Sequence, residues 1–265
     1  TRDSSTSRGL GDVYKRQDHD DNNNDGNGNG NAQLILDSRT KTKKPSMMVR
    51  WRPGSLVIAM DFSGSHILSI DQFERSDVER LFSLAGSLEP YSNKEKITKV
   101  LDGAILGNMF FEPSTRTRIS FGASFNLLGG SVREITESGS SSLAKGESLA
   151  DTAQVLSGYS DIIVLRHPDE GSVKKFAESS RVPVINGGDG SNEHPSQALL
   201  DLYTIKKELS LNDKTVDGLK IALVGDLKFG RAVHSLCKIL SLYNNVKINL
   251  ISPEELRLPE NSTDL

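Results

Sequence analysis

Between Ala104 and Ile251, short apolar runs alternate with segments of helical period, and this alternation limits the fold more than any other feature of the chain. Ala104–Phe111 reads as a buried strand. Thr117–Leu128 reads as a helix with Phe121, Phe125 and Leu128 on one face, stopped by Gly129-Gly130. The pattern then repeats with a strand at Val132–Thr136, a helix at Leu149–Tyr159, a strand at Asp161–Leu165, a helix at 171–179 and a strand at Val182–Asn186. A long helix, Ser196–Leu209, turns Ala198, Leu202, Ile205 and Leu209 inward. Strand Lys220–Val224, helix Ala232–Tyr243 and strand Val246–Ile251 follow. Upstream, Ser76-Asp77-Val78-Glu79 has the form of a capping box, ahead of Val78, Leu81, Phe82, Ala85 and Leu88 at helical spacing. Strands that alternate with helices form parallel sheets covered on both faces. The expected fold class is α/β, with two parallel-sheet αβα domains linked by the long helix.

Residues 1–53 are expected to form a disordered or non-native tail. Asp18–Asn31 is nearly all Asp, Asn and Gly, which cannot bury enough surface to offset chain entropy. The chain opens with Thr rather than Met, and Leu10–Gln17 looks like translated cloning sequence. Arg39, Lys41, Lys43, Lys44, Arg50 and Arg52 read as a solvated basic linker in preference to a transit-peptide remnant or a nucleic-acid arm. Order is expected from about Ser55, with one domain at 54–210 and the start of a second at 211–265. The polar stretch Leu211–Asp217 separates them, and the single βαβ unit after it cannot cover its own sheet, so that domain reads as cut short.

The charge balance narrows the partners. Thirty-two basic against 35 acidic side chains give a net charge of -3, with no electrostatic case for nucleic acid or a membrane surface. One cysteine, Cys237, excludes an internal disulfide framework and any CxxC pair. No apolar run approaches the roughly 20 residues that a membrane span needs. A cytoplasmic setting is expected, with a plastid form left open although the acidic Asp18–Asp25 stretch is wrong for a transit peptide.

Phe110-Phe111-Glu112-Pro113-Ser114-Thr115-Arg116-Thr117-Arg118 lies where a strand ends and a helix begins, the usual ligand position in open α/β sheets. A helix start offers unpaired N–H groups and the positive end of a dipole, both suited to an anion. The hydroxyls of Ser114, Thr115 and Thr117 and the guanidinium groups of Arg116 and Arg118 gather there. Arg116 can grip two phosphate oxygens with its planar fork. The plain alternative is a Ser114 or Thr115 N-cap beside two surface arginines, but so dense a set of phosphate-competent residues favours phosphate binding. Arg166 follows the strand Asp161–Leu165, again at a carboxyl end, where a phosphate or carbonyl oxygen or an ordinary salt bridge would pair it. His194 and Gln197 open a helix and face one opening, the alternative for His194 being a structural cap.

Two further segments are near-misses. Gly225-Asp226-Leu227-Lys228-Phe229-Gly230-Arg231-Ala232 has Leu227 where a dinucleotide fingerprint needs glycine, and Arg231 and Ala232 where a P-loop needs Lys and Ser/Thr. What remains is a strand-to-helix turn presenting Lys228 and Arg231, suited to a carboxylate. Ser142 and Lys145 imitate the serine–lysine pair of penicillin-binding enzymes, but no Ser-Asp-Asn or Lys-Thr-Gly accompanies them, leaving a solvated loop. His19, His66, His167, His194 and His234 show no metal-ligand spacing with each other or with Cys237, and there is no G-x-S-x-G elbow. No metal and no cofactor are expected.

The segment Phe110–Arg118 resembles the carbamoyl-phosphate signature of the aspartate and ornithine carbamoyltransferases. Val164–Pro168 and Gly187–Gln197 resemble the next blocks of that family, in order, and Gly225–Ser235 is similar to its aspartate branch. The resemblance runs from about Leu68 to Ser252. It implies a carbamoyl-phosphate-binding domain at 54–210, the start of an aspartate-binding domain at 211–265, and a catalytic chain of de novo pyrimidine biosynthesis. The implied reaction moves the carbamoyl group of carbamoyl phosphate to the α-amine of L-aspartate, giving N-carbamoyl-L-aspartate and phosphate. By the same resemblance Ser114, Thr115, Arg116 and Thr117 hold phosphate, Thr117, Arg166 and His194 polarise the carbamoyl oxygen, and Gln197 orients the amide. Lys145 and Arg231 meet aspartate. The Ser/Gly loop supplies Lys145, with Ser141 or Ser142, to a neighbouring subunit, which implies a homotrimer with shared active sites. Family members carry a further arginine–glutamine pair and a leucine–proline turn beyond the last strand seen here. Ornithine carbamoyltransferase is the nearest rival, opposed by Pro113 and the Gly225–Ser235 block. A carbamoyl-phosphate-binding fragment without turnover is the second, and a nucleic-acid-binding basic arm the third.

Overall fold

The computed structural model describes residues 46–48, 60–136 and 146–259. Two sheets organise them. The first is four-stranded and wholly parallel, in the order β3-β2-β4-β5, with β2 at Ile105–Phe110, β3 at Ser131–Ile135, β4 at Ile162–His167 and β5 at Val184–Asp189. The second has the order β1-β7-β6. Its strands β6, Lys220–Val224, and β7, Lys247–Ile251, are parallel, while β1, Ser46–Met48, runs antiparallel to β7. The α/β expectation therefore holds, with one departure. The second sheet is mixed, because a short strand ahead of Ser55 joins its edge.

Among the described residues six α-helices connect the strands: α1 (Arg75–Ser92), α2 (Thr115–Leu127), α3 (Leu149–Ser157), α4 (Ser172–Ser179), α5 (Pro195–Ser210) and α6 (Arg231–Leu240). Period-two alternation splits the apolar residues of the first sheet between its faces. Met109, Ile163 and Leu165 pack with Ala153 of α3 and Val173 and Phe176 of α4. Leu106, Phe110 and Val164 face Phe121 and Phe125 of α2. Helices α1, α5 and α6 share a third core with the second sheet, in which Val78, Leu202, Ile239 and Ile248 are fully buried. The opposite face of β6 and β7 leaves Val224 71% and Ile251 49% exposed.

Two local starts and stops differ from expectation in instructive ways. Ser76 lies inside the first turn of α1 and does not cap it. Asp77, buried, caps from within, its carboxylate accepting the Glu74 N–H at 3.0 Å and the Met60 N–H at 2.7 Å. Helix α2 does end at the glycines: Gly129 takes φ +96°, a left-handed value that side chains resist, and the Gly130 N–H returns to the Phe125 carbonyl.

The order 3-2-4-5 contains the functional clue. The chain leaves β2 toward β3 on one side, then crosses to β4 on the other, so the crevice beyond the carboxyl ends of β2 and β4 is a topological switch point.

Candidate active site

Three strand ends deliver side chains to that crevice. Strand β2 ends at Phe110, and after Phe111-Glu112-Pro113 the extended Ser114 (φ -159°, ψ 109°) leads into α2 at Thr115. The Ser114 hydroxyl makes no capping hydrogen bond and the first turn carries no acid, so the start of α2 keeps the N–H groups and dipole end that an anion needs. Strand β4 runs two residues further than expected, and Arg166 belongs to it, paired in register with Phe110. Strand β5 also runs on, to Asp189. Its Gly188 has φ +116°, and a Cβ there would lie 3.3 Å from the Arg231 guanidinium carbon and 3.4 Å from Arg166 Nη1. A glycine at this point lets both arginines close on the backbone. The Asn186 side chain holds the turn, accepting from the Gly188 N–H at 2.7 Å and donating to Asp189 at 3.1 Å.

Helices α5 and α6 complete the walls. His194 precedes Pro195 at the start of α5, buried, and makes no side-chain cap, so the structural-cap alternative fails. Its Nδ1 lies 3.3 Å from the Ser196 hydroxyl. Gln197 donates its amide N–H to Asp201 at 2.8 Å, which leaves the amide oxygen as a free acceptor. Arg231 is the first residue of α6. Ser114, Thr115, Arg116, Thr117, Arg166, His194, Gln197 and Arg231 thus line one cleft of about 980 Å³.

The electrostatics suit a neutral imidazole among cations. Burial, with Arg166 and Arg231 nearby, drives His194 down to about 4 against the weaker pull of Glu112. Burial also lowers Arg166, and the Arg231 cation adds to it. Glu112 bridges the two arginines, accepting from Arg166 at 3.1 Å and from both terminal nitrogens of Arg231 at 3.1 Å. Burial pushes its carboxyl up, but the Arg231 hydrogen bond and the two cations outweigh that and hold it below the usual glutamate value. Among the described residues Arg166 Nε is buried with no partner. Asp201 is pushed up by burial despite its bond from Gln197.

Two sequence expectations change. Arg118 does not join the mouth, because α2 turns it to the sheet side, where it meets Glu134 at 2.7 Å. Lys228 stands over the Phe229 ring at 5.1 Å, so of these two cations only Arg231 lines the cleft. Ser141, Ser142 and Lys145 lie outside the described residues. Glu112 and Asp201 were missed. Glu112 had a usable signal, as the lone acid in a cationic strand-end segment, whereas Asp201 shows only as the residue one helical turn after Gln197. Among the described residues no group of three or more His, Cys, Asp or Glu is arranged to hold a metal, and no helix is long and apolar enough to cross a membrane.

Comparison with known proteins bears on the same region. The family described as aspartate/ornithine carbamoyltransferase, carbamoyl-P binding domain, matches residues 65–207, which include every cleft residue named above except Arg231. The aspartate carbamoyltransferase catalytic subunit of Saccharophagus degradans is 67% identical over 206 residues, covering 78% of this chain and 61% of its own length. That of Cellvibrio japonicus is 67% identical over 201 residues, covering 76% and 60%. The chain therefore spans about three fifths of the length of these curated relatives. Among solved structures, aspartate transcarbamoylase from Trypanosoma cruzi in complex with carbamoyl aspartate and phosphate matches with a TM-score of 0.70 at 42% identity, covering 75% of this chain and 64% of that one. The catalytic subunit of M. jannaschii aspartate transcarbamoylase matches at 0.69 and 50%, covering 75% and 63%. A parallel sheet with a phosphate-ready helix mouth at its switch point, matched over more than half its length by one family, places this chain among the aspartate/ornithine carbamoyltransferases, through their carbamoyl-P binding domain.

Proposed function

We propose that this chain transfers the carbamoyl group of carbamoyl phosphate to the α-amine of L-aspartate, in the cytoplasm and as part of pyrimidine synthesis. The observation that carries the reading is the convergence of an uncapped helix start, Arg116, Arg166 and an uncharged His194 on one cleft, with Arg166 Nε still in need of an acceptor. Relatives named for aspartate, at 67% identity, favour that acceptor over ornithine.

In this mechanism Ser114, Thr115, Arg116 and Thr117 bind the phosphate at the start of α2. Thr117, Arg166 and His194 donate to the carbamoyl oxygen. An imidazole depressed to about 4 is neutral at pH 7, and in the tautomer whose Nδ1 accepts from the Ser196 hydroxyl the ring proton sits on Nε2, where it can donate. Gln197 offers its amide oxygen to the carbamoyl NH₂. The α-amine of aspartate attacks the carbamoyl carbon, a C–N bond forms, and the tetrahedral intermediate expels phosphate as the C–O bond breaks. The leaving phosphate takes the amine proton. Catalysis then rests on holding two anions together and on stabilising the oxyanion. Arg231 would receive a carboxylate of aspartate, releasing Glu112. Lys145, with Ser141 or Ser142, would come from a neighbouring subunit of a homotrimer, and the domain division at 54–210 and 211–265 belongs to the same reading.

The test is to supply carbamoyl phosphate with L-aspartate or L-ornithine and identify the carbamoylated product. N-carbamoyl-L-aspartate is expected, and Arg116→Ala and Arg166→Ala should each lower turnover by at least about 10²-fold, the scale of one electrostatic stabiliser. A carbamoylated ornithine, or near-normal turnover in both variants, would overturn the reading. Carbamoyl-phosphate binding without turnover would favour the binding-fragment alternative.

A further inference from the structure

Glu193 stands beside the cleft and takes no part in its chemistry. It is buried (4% exposed) immediately before His194. Its carboxylate accepts from the Ser69 hydroxyl at 2.7 Å, the Ile70 N–H at 2.9 Å, Lys238 Nζ at 2.7 Å and, more weakly, the Ser235 hydroxyl at 3.4 Å. Lys238 also reaches Asp71 at 2.8 Å, and the His194 N–H donates to Ser235 Oγ at 3.1 Å. On α6, Arg231, Ser235 and Lys238 are spaced i, i+4 and i+7, which is one face of a helix. The face that carries Arg231 into the cleft is therefore bonded, one and two turns further on, to the residues at the start of α5.

We infer that the Glu193–Lys238 pair is a positioning device that fixes the spacing between His194, at the end of the first sheet, and Arg231, on the helix of the second. Neither residue lines the cleft, so the pair acts through the backbone of His194 and the axis of α6. A buried carboxylate is costly unless its partners are in place, and an apolar pair of the same volume would pack as well. Two charges with directed hydrogen bonds permit one register of α6 against the His194 turn, whereas an apolar contact permits sliding. The inference rests on the carbamoyl-transfer reading for its functional meaning, though not for its geometry.

The pair can be tested in the full chain with Lys238→Met, Glu193→Gln and the double variant. Carbamoyl-phosphate binding is measured by calorimetry, the His194 imidazole titration by NMR, and the melting temperature alongside. Lys238→Met should weaken binding about tenfold, the size of coupling within one charge network. It should also move the imidazole from about 4 toward its ordinary 6.5 as the ring loses its place. The double variant, which leaves no lone buried charge, should regain melting temperature but not affinity or the imidazole titration, because α6 is still free to slide, and full recovery of both would overturn the inference. Should Lys238→Met fail to fold, Glu193→Gln keeps the volume and one of the two acceptor oxygens and should show a shift of the same sign, about threefold, within the same coupling range. A lowered melting temperature with wild-type affinity and wild-type imidazole titration would reduce the pair to a structural role and overturn the inference. If the wild-type chain itself binds no carbamoyl phosphate, the carbamoyl-transfer reading fails, while an unmoved imidazole in the variants would separately overturn the positioning role of Glu193 and Lys238.

Discussion

His194 gives the sharpest consequence for pH. Its folded value of about 4 lies below the ordinary 6.5, so between these limits the unfolded chain takes up a proton that the folded chain refuses. Stability must then fall as pH drops through 6.5 and level off near 4. At pH 4.5 the unfolded histidine is almost fully charged and the folded one mostly neutral, which makes the difference roughly 2–3 kcal/mol. Carboxylates add their own acid sensitivity, so the comparison must be differential. Urea unfolding of the wild type and of His194→Gln at pH 7.5 and pH 4.5 removes that background, since the variant retains every carboxylate. The wild type should lose roughly 2–3 kcal/mol more than the variant between the two pH values. Equal losses would mean that the ring is charged or solvated in the folded protein, and the neutral-donor role would fall with it.

Two further outcomes separate the helix mouth from its scaffold. Arg118→Ala should leave carbamoyl-phosphate affinity unchanged and cost at most about 1 kcal/mol, because its half-exposed pair with Glu134 is a surface interaction; calorimetry and urea midpoints check both. Gly130→Ala would set a Cβ 2.2 Å from the Phe125 ring, and the forced repacking should cost about 1–3 kcal/mol by urea unfolding, with a neutral result removing Phe125 from the close fit described for the end of α2.

Much of the fold was legible because each element declares itself locally. The buried run at β2 and the glycine stop after α2 need no tertiary information, and every strand and helix expected between Ala104 and Ile251 is present within a few residues. What escaped were features set by tertiary partners. Asp77 closes a capping box that begins at Glu74, two residues before Ser76, and its second oxygen is taken by the Met60 N–H, a partner that only the fold supplies. Arg118 sits one residue from the phosphate cluster in sequence, yet the helical turn directs it to Glu134 on β3. The site divides the same way. Its hydroxyls and arginines announce phosphate by chemistry alone, whereas Glu112 gains its role only because β4 and α6 bring Arg166 and Arg231 to it. The depression of His194 likewise depends on burial that one sequence cannot display.

The central claim is that the start of α2, with Arg166 and His194 across from it, is built for a carbamoyl phosphate. Crystals of the chain grown with N-(phosphonacetyl)-L-aspartate, the ligand of one of the Trypanosoma cruzi structures, test it directly. The phosphonate is expected on the first-turn N–H groups of α2 within reach of Arg116, with the carbonyl oxygen facing Arg166 and His194. Density for the ligand elsewhere, or a mouth left closed with Glu112 still spanning Arg166 and Arg231, would contradict the account.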